Sequence, residues 1–153
     1  MREELISQLL NEELKVVAIK GLNDQNIRKG QIDEKLMTEN VIYGDVRNST
    51  LLELEMKKIG QIEGMIYIAS NSREDECLSD ISLCRSLNLD GLISFLSSLK
   101  SISNSQLPWL IFRSVKLEDT NTDSLFTSIV SEAELLLEEN RDLFSSIDIV
   151  RLP

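Results

Sequence analysis

Few residues in this sequence have the type and spacing to move a proton, attack a carbon or hold a phosphate. Proton transfer beside hydride chemistry can use a tyrosine with a lysine four residues on, the cation lowering the phenol pKa. The sequence has two tyrosines. Tyr43 is followed four on by Arg47, and Tyr67 by Asn71, so Tyr43-Gly44-Asp45-Val46-Arg47 comes near the pattern and neither tyrosine completes it. Histidine is absent, which removes Ser-His and Cys-His nucleophilic catalysis. Acidic runs occur at Glu74-Asp75-Glu76 and Glu138-Glu139. A metal needs converging oxygens, which a helix surface does not supply, so both runs read as solvated faces. The serines read as loop and cap residues, where local hydrogen bonding accounts for them.

Dinucleotide phosphates sit on backbone N–H groups at a glycine turn between a strand and a helix. The six glycines stand at 21, 30, 44, 60, 64 and 91, and no two have GxGxxG or Walker spacing. Gly21 follows a strand-like run, but Leu22-Asn23-Asp24 lack the small residues such a turn needs. No catalytic, cofactor-binding or metal-binding residue is therefore assigned. Cys77 and Cys84 lie in a stretch of helical period. A continuous helix would hold their backbones roughly 10 Å apart, too far for a disulfide. Without histidine they do not form a zinc site, and they are expected as small buried apolar residues. Trp109, the lone tryptophan, stands beside Pro108 at a strand start and is expected to pack at the end of a sheet.

The elements that would position these residues alternate between strand and helix. Leu5, Ile6, Leu9, Leu10 and Leu14 recur at helical spacing opposite Glu3, Glu4, Gln8, Glu12 and Glu13, and predict an amphipathic helix. Val16–Ile19 is a short apolar run rich in β-branched residues and predicts a buried strand closed by Gly21 and Asn23-Asp24. Residues 23–40 are polar, with a helical turn near Asp33 to Met37. Val41–Tyr43 predicts a second strand. Asn48 or Ser49 can cap a helix carrying Leu51, Leu52, Met56 and Ile59, with Gly60 and Gly64 at its exit. Met65–Ala69 predicts a third strand, and residues 79–102 one long helix running through Gly91. Trp109–Phe112 predicts a fourth strand, opened by Pro108. Thr122 or Asp123 can cap a helix bearing Phe126, Ile129, Val130, Ala133, Leu136 and Leu137, and Ile147–Val150 is the last strand. Strands alternating with helices, joined by right-handed crossovers, predict an α/β fold: a truncated Rossmann-like three-layer sandwich with a mostly parallel sheet. The start in a helix and the end after a strand suggest a piece of a larger fold, whose sheet edge and apolar surface would need a neighbour.

Composition narrows the partners. The 153 residues suffice for one core without disulfide or metal staples, and the 42% apolar and 27% charged fractions are those of a globular chain. With 26 acidic against 16 basic residues, the net charge of −10 repels phosphate backbones and anionic lipid heads. Nucleic acid and membrane are therefore not expected as partners. No apolar run reaches the ~18 residues of a membrane span, and the acidic N-terminus is unlike a signal peptide. A soluble, cytoplasmic protein is expected.

The second half has a recognisable order of segments. Gly64–Ala69 precedes the long helix that contains Leu87-Asn88-Leu89-Asp90-Gly91-Leu92-Ile93-Ser94-Phe95-Leu96. Leu107-Pro108-Trp109-Leu110-Ile111-Phe112-Arg113 follows, then Leu137-Glu138-Glu139-Asn140-Arg141-Asp142-Leu143-Phe144, then Ile147-Asp148-Ile149-Val150-Arg151-Leu152-Pro153. This succession resembles the N-terminal structural subdomain of modular polyketide synthase ketoreductases, over roughly residues 60–153 and more loosely before them. Trp109–Arg113 matches that family's "lWlvTrga" strand. Glu138–Leu143 matches its "alEhPel" helix end, with Glu139 and Asn140 where His-Pro is usual. Ile149–Pro153 matches its "lvDLp" strand, with Arg151 where Asp is common. The resemblance implies a Rossmann-like unit that binds no cofactor and is no enzyme on its own. Residues 1–153 would be a single ketoreductase-like structural subdomain, a fragment of a larger multidomain chain. It would pack against an adjacent catalytic subdomain that binds NADPH, or beside another modifying domain as a pseudo-domain. Two rival readings are a stand-alone acidic protein-binding module and a divergent short-chain oxidoreductase.

Overall fold

The computed structural model describes residues 17–20, 41–43, 45–68, 74–103, 105–115 and 124–152. The chain divides into two compact units, Met1–Val46 and Arg47–Pro153. In the first, strand β1 (Ala18–Lys20) pairs in parallel with β2 (Val41–Tyr43), Ala18 opposite Val41 and Lys20 opposite Tyr43. The expected helix over Leu5–Leu14, the turns at Gly21 and Asn23-Asp24, and the helical turn near Asp33 lie outside the described residues.

The second unit is built on a three-stranded parallel sheet in the order β3 (Gly64–Ile68), β4 (Trp109–Val115), β5 (Ile147–Leu152). Gly64 pairs with Trp109, Leu110 with Ile147, and Ser114 with Arg151. All the pairings are parallel, as expected from helices alternating with strands. The α/β, truncated Rossmann-like class read from the sequence is the class observed.

Helix α1 (Ser49–Ile59) starts where the capping chemistry puts it. Asn48 Oδ1 accepts from Leu51 N–H at 3.1 Å, and Lys57 and Lys58 sit in the last turn, where the helix dipole favours cations. Gly60 ends the helix with φ of 78°, a left-handed backbone that a Cβ disfavours, while its N–H bonds Met56 O. Gly64 does not belong to this exit and instead opens β3.

The stretch 79–102 is helical from Ile81 to Ile102 and runs through Gly91, as its period predicts, but it holds a π-helical turn. It follows α2 (Glu74–Ser79) as α3 (Ile81–Arg85), a π-helical turn (Ser86–Asp90) and α4 (Gly91–Ile102). The break between α2 and α3 falls at Asp80, whose carboxylate accepts from Leu83 N–H at 3.0 Å and caps α3. A short polar side chain that bonds the backbone locally competes with helix continuation. The break overturns the expectation for the cysteines: the Cα atoms of Cys77 and Cys84 lie 5.0 Å apart and the two form a disulfide. Their expected burial holds, since both are fully enclosed.

Two further local expectations change. Helix α5 (Leu125–Glu139) is capped by Ser124, whose hydroxyl accepts from Thr127 N–H at 3.1 Å; Thr122 and Asp123 lie outside the described residues. Ser94 and Ser98 are not loop or cap residues. They sit inside α4 and tie it to the start of α1: Ser94 Oγ donates to Arg47 O at 3.0 Å, and Ser98 Oγ lies 2.7 Å from Ser94 O and 3.2 Å from Ser49 O. Small hydroxyl side chains let the two helices approach while satisfying backbone oxygens near α1's first turn.

The core of this unit gathers Leu92, Leu96 and Leu99 of α4, Leu110 and Phe112 of β4, and Phe126, Ile129, Ala133 and Leu137 of α5, all buried. Helix α5 packs on β4 and against the π-helical turn, and α4 packs on α1. The apolar positions of α5 recur at three- and four-residue steps, which is why one face faces inward along its whole length.

Candidate functional site

Parallel α/β sheets present ligands at the carboxyl ends of their strands, so the chemistry should be sought there. At the carboxyl end of β4 and β5 three polar side chains converge. Ser114 and Arg151 are neighbours across the strand pair, and Glu134 reaches them from α5. Ser114, only 3% exposed, donates from its hydroxyl to Glu134 Oε1 at 2.6 Å. Arg151 donates Nε to Oε1 at 3.1 Å and Nη2 to Oε2 at 2.6 Å. The carboxylate holds the Arg151 guanidinium above its usual pKa, chiefly through the hydrogen bond. Both oxygens of the one carboxylate are engaged, and the cluster ties helix α5 to strands β4 and β5.

Tyr67 is placed away from acid–base work. Tyr67 lies in β3, its ring 5.0 Å from that of Phe95 and stacked 5.6 Å from that of Phe112. Burial pushes its phenol far above the ordinary range, the opposite of what a catalytic tyrosine needs. Asn71, four residues on, lies outside the described residues. Tyr43 is in β2. Arg47, four residues beyond Tyr43, donates Nη1 to Ser86 Oγ at 3.0 Å.

The acidic run Glu138-Glu139 behaves as surface. Glu138 is exposed and forks onto Arg141, with bonds of 2.7 and 2.8 Å, and that hydrogen bond holds its carboxyl below the usual range. Glu74–Glu76 open α2. Among the described residues no three His, Cys, Asp or Glu side chains converge to hold a metal. Trp109 is 42% exposed and covers Gly64 on the neighbouring strand, where a Cβ would overlap its ring. It thus packs at the sheet end as its position next to Pro108 suggests.

A phosphate cradle would need a glycine turn between a strand and a helix. Gly60 caps α1, Gly64 is covered by Trp109, and Gly91 is buried at the start of α4. None of these three offers the turn a pyrophosphate would need. Gly21, Gly30 and Gly44 lie outside the described residues.

A second feature is a groove of about 230 Å³ between the π-helical turn and α5. Leu89, Ile93, Leu135 and Leu136 line it, with Arg85, Asp90, Glu132 and Glu139 at hand. Arg85 pairs with Glu132 across it at 2.9 Å. Sequence reading missed this groove and the Glu134 cluster. The signal for the groove was the run Leu135-Leu136-Leu137, wider than one inward face can bury.

No protein-family model and no curated protein sequence matches the chain. Solved structures do. The fold is that of UDP-glucose 4-epimerases and short-chain dehydrogenases. The Thermotoga maritima UDP-glucose 4-epimerase, solved with UDP-glucose, aligns over 97% of this chain and 50% of its own, with TM-score 0.71 and 11% identity. The Bifidobacterium longum enzyme, solved with NAD+ and UDP, aligns over 94% of this chain and 47% of its own, with TM-score 0.70 and 17% identity. A short-chain dehydrogenase/reductase from Vibrio parahaemolyticus aligns over 95% and 70%, with TM-score 0.66 and 15% identity. The chain spans about half the length of the two epimerases. Identity at this level establishes the shared Rossmann-like fold. Among the described residues no helix is long and apolar enough to cross a membrane.

Proposed function

We propose that this chain is a non-catalytic Rossmann-type unit whose role is to pack against and support a catalytic partner. The observation that carries the reading is the Ser114–Glu134–Arg151 cluster. It occupies the carboxyl ends of β4 and β5, where such folds place ligands, and both oxygens of its carboxylate are taken up by Ser114 and Arg151. The buried Tyr67 and the covered Gly64 support the same reading.

The resemblance along residues 60–153 supports a more specific form of it. In that form the chain is the structural subdomain of a polyketide synthase ketoreductase. The NADPH loop and the Tyr and Lys would belong to the neighbouring catalytic subdomain, and the partner would be that subdomain or another synthase domain in the cytoplasm. Mass spectrometry of the native polypeptide in its source cells, with peptides flanking this region, tests it. A megasynthase-sized chain carrying a glycine-rich loop after Pro153 is expected. A native chain of about this length would overturn the synthase form.

One observation favours a second reading. The fold matches epimerases solved with NAD+, UDP or UDP-glucose over more than nine-tenths of this chain. A divergent short-chain oxidoreductase or epimerase half would show saturable binding of NAD(H) or NADP(H), which the first reading does not expect.

A further inference from the structure

The groove beside α5 has a floor of apolar side chains that solvent reaches. Leu135 is 60% exposed and Ile93 49%, although both are large aliphatic residues on well-formed helices. They face the groove together with the buried Leu89 and the half-buried Leu136. At about 230 Å³ it is smaller than the roughly 300–1,000 Å³ of small-molecule sites. It is also open to solvent, so it suits side-chain anchors from another protein. A furrow between two helical segments is filled by the ridge of a third helix.

Its charge selects the partner. Three carboxylates, Asp90, Glu132 and Glu139, border the floor, against the single cation of Arg85, which Glu132 already engages at 2.9 Å. The whole chain carries −10. A second copy brought face to face would set these acidic borders against each other, at a cost of like-charge approach. A helix with leucines on one face and lysines or arginines on its flanks meets the floor and the borders at once.

We infer that the groove lined by Leu89, Ile93, Leu135 and Leu136 docks a basic amphipathic helix of a partner protein. The inference stands on this groove and does not depend on the scaffold reading above.

The test is fluorescence anisotropy of the full-length chain with a labelled leucine–lysine amphipathic peptide, about five turns long. A leucine–glutamate peptide of the same pattern is the control. The expected result is saturable one-to-one binding of the lysine peptide alone, weakened at least about tenfold by Leu135→Asp. Ile93→Asp, across the groove, should weaken it similarly, with urea midpoints checking that both variants are folded. Each substitution adds negative charge, so simple attraction to an acidic surface would be strengthened by it, not weakened. Equal binding by the variants, or none by the parent chain, overturns the inference. So does a self-dimer in light scattering that Leu135→Asp dissolves, which would assign the face to a second copy.

Discussion

Glu134 and Arg151 meet as a two-pronged ion pair, Arg151 Nη2 donating to Oε2 at 2.6 Å and Nε to Oε1 at 3.1 Å. The same Oε1 accepts from the buried Ser114 hydroxyl. One carboxylate thus fastens α5 to the carboxyl ends of two strands. The two ends of this link differ in burial, and so in energetic weight. Glu134→Ala leaves Ser114 buried without its acceptor, at a cost of about 1–3 kcal/mol. Arg151→Ala removes a half-exposed guanidinium and should cost less than about 1 kcal/mol. Urea midpoints of the two variants check the order, and Ser114→Ala combined with Glu134→Ala should recover part of the loss.

The Cys77–Cys84 disulfide closes a short loop across the Asp80 break. Cross-linking a loop of that length restricts the unfolded chain by about 2 kcal/mol. Dithiothreitol should therefore lower the unfolding midpoint of the parent chain and leave Cys77→Ser/Cys84→Ser unchanged. Alkylation of the unfolded chain should label the cysteines only after reduction.

Trp109 and Gly64 give a spectroscopic prediction. A Cβ at position 64 would overlap the indole, which is partly exposed and would have to move. Gly64→Ala should shift the emission of this single tryptophan to the red and cost about 1–3 kcal/mol, the range for overpacking.

Adjacent leucines of α5 should differ sharply. Leu137 is fully buried and Leu135 faces solvent. Leu137→Ala should cost about 2–5 kcal/mol, and Leu135→Ala should stay within about 0.5 kcal/mol of the parent.

Two titrations follow from the pKa directions. The Glu138 carboxyl is depressed by Arg141, so its contribution is present above the unfolded carboxylate pKa and is lost as pH falls through the folded value. The difference in urea midpoint between the parent and Glu138→Gln should vanish at strongly acid pH. Tyr67 is raised by burial, so its contribution is complete below about pH 10 and declines as pH rises above that. Tyr67→Phe should remove that part of the alkaline loss.

Much of the fold was legible because it rests on period and caps. Val41–Tyr43 reads as a strand from composition alone, and Asn48 announces α1. The helix over 81–102 was legible in the period of Leu83, Leu87 and Leu92, whereas the break ahead of it at Asp80, between the two cysteines, was not, because it rests on one local hydrogen bond and not on period. The disulfide was missed for the same reason, since its geometry exists only once the helix bends. The Glu134 cluster joins residues far apart in the chain, Ser114, Glu134 and Arg151, through strand register that no local pattern encodes. The absence of a Tyr–Lys pair, by contrast, is a property of the sequence itself, and the burial of Tyr67 adds its physical consequence.

On the proposed reading this chain supports chemistry without holding the cofactor for it. Calorimetric titration of the intact chain with NADPH, and in parallel with NADH, is the decisive measurement. No saturable heat is expected up to millimolar nucleotide. One-to-one saturable binding of either nucleotide would contradict it and make the divergent oxidoreductase or epimerase reading the better one.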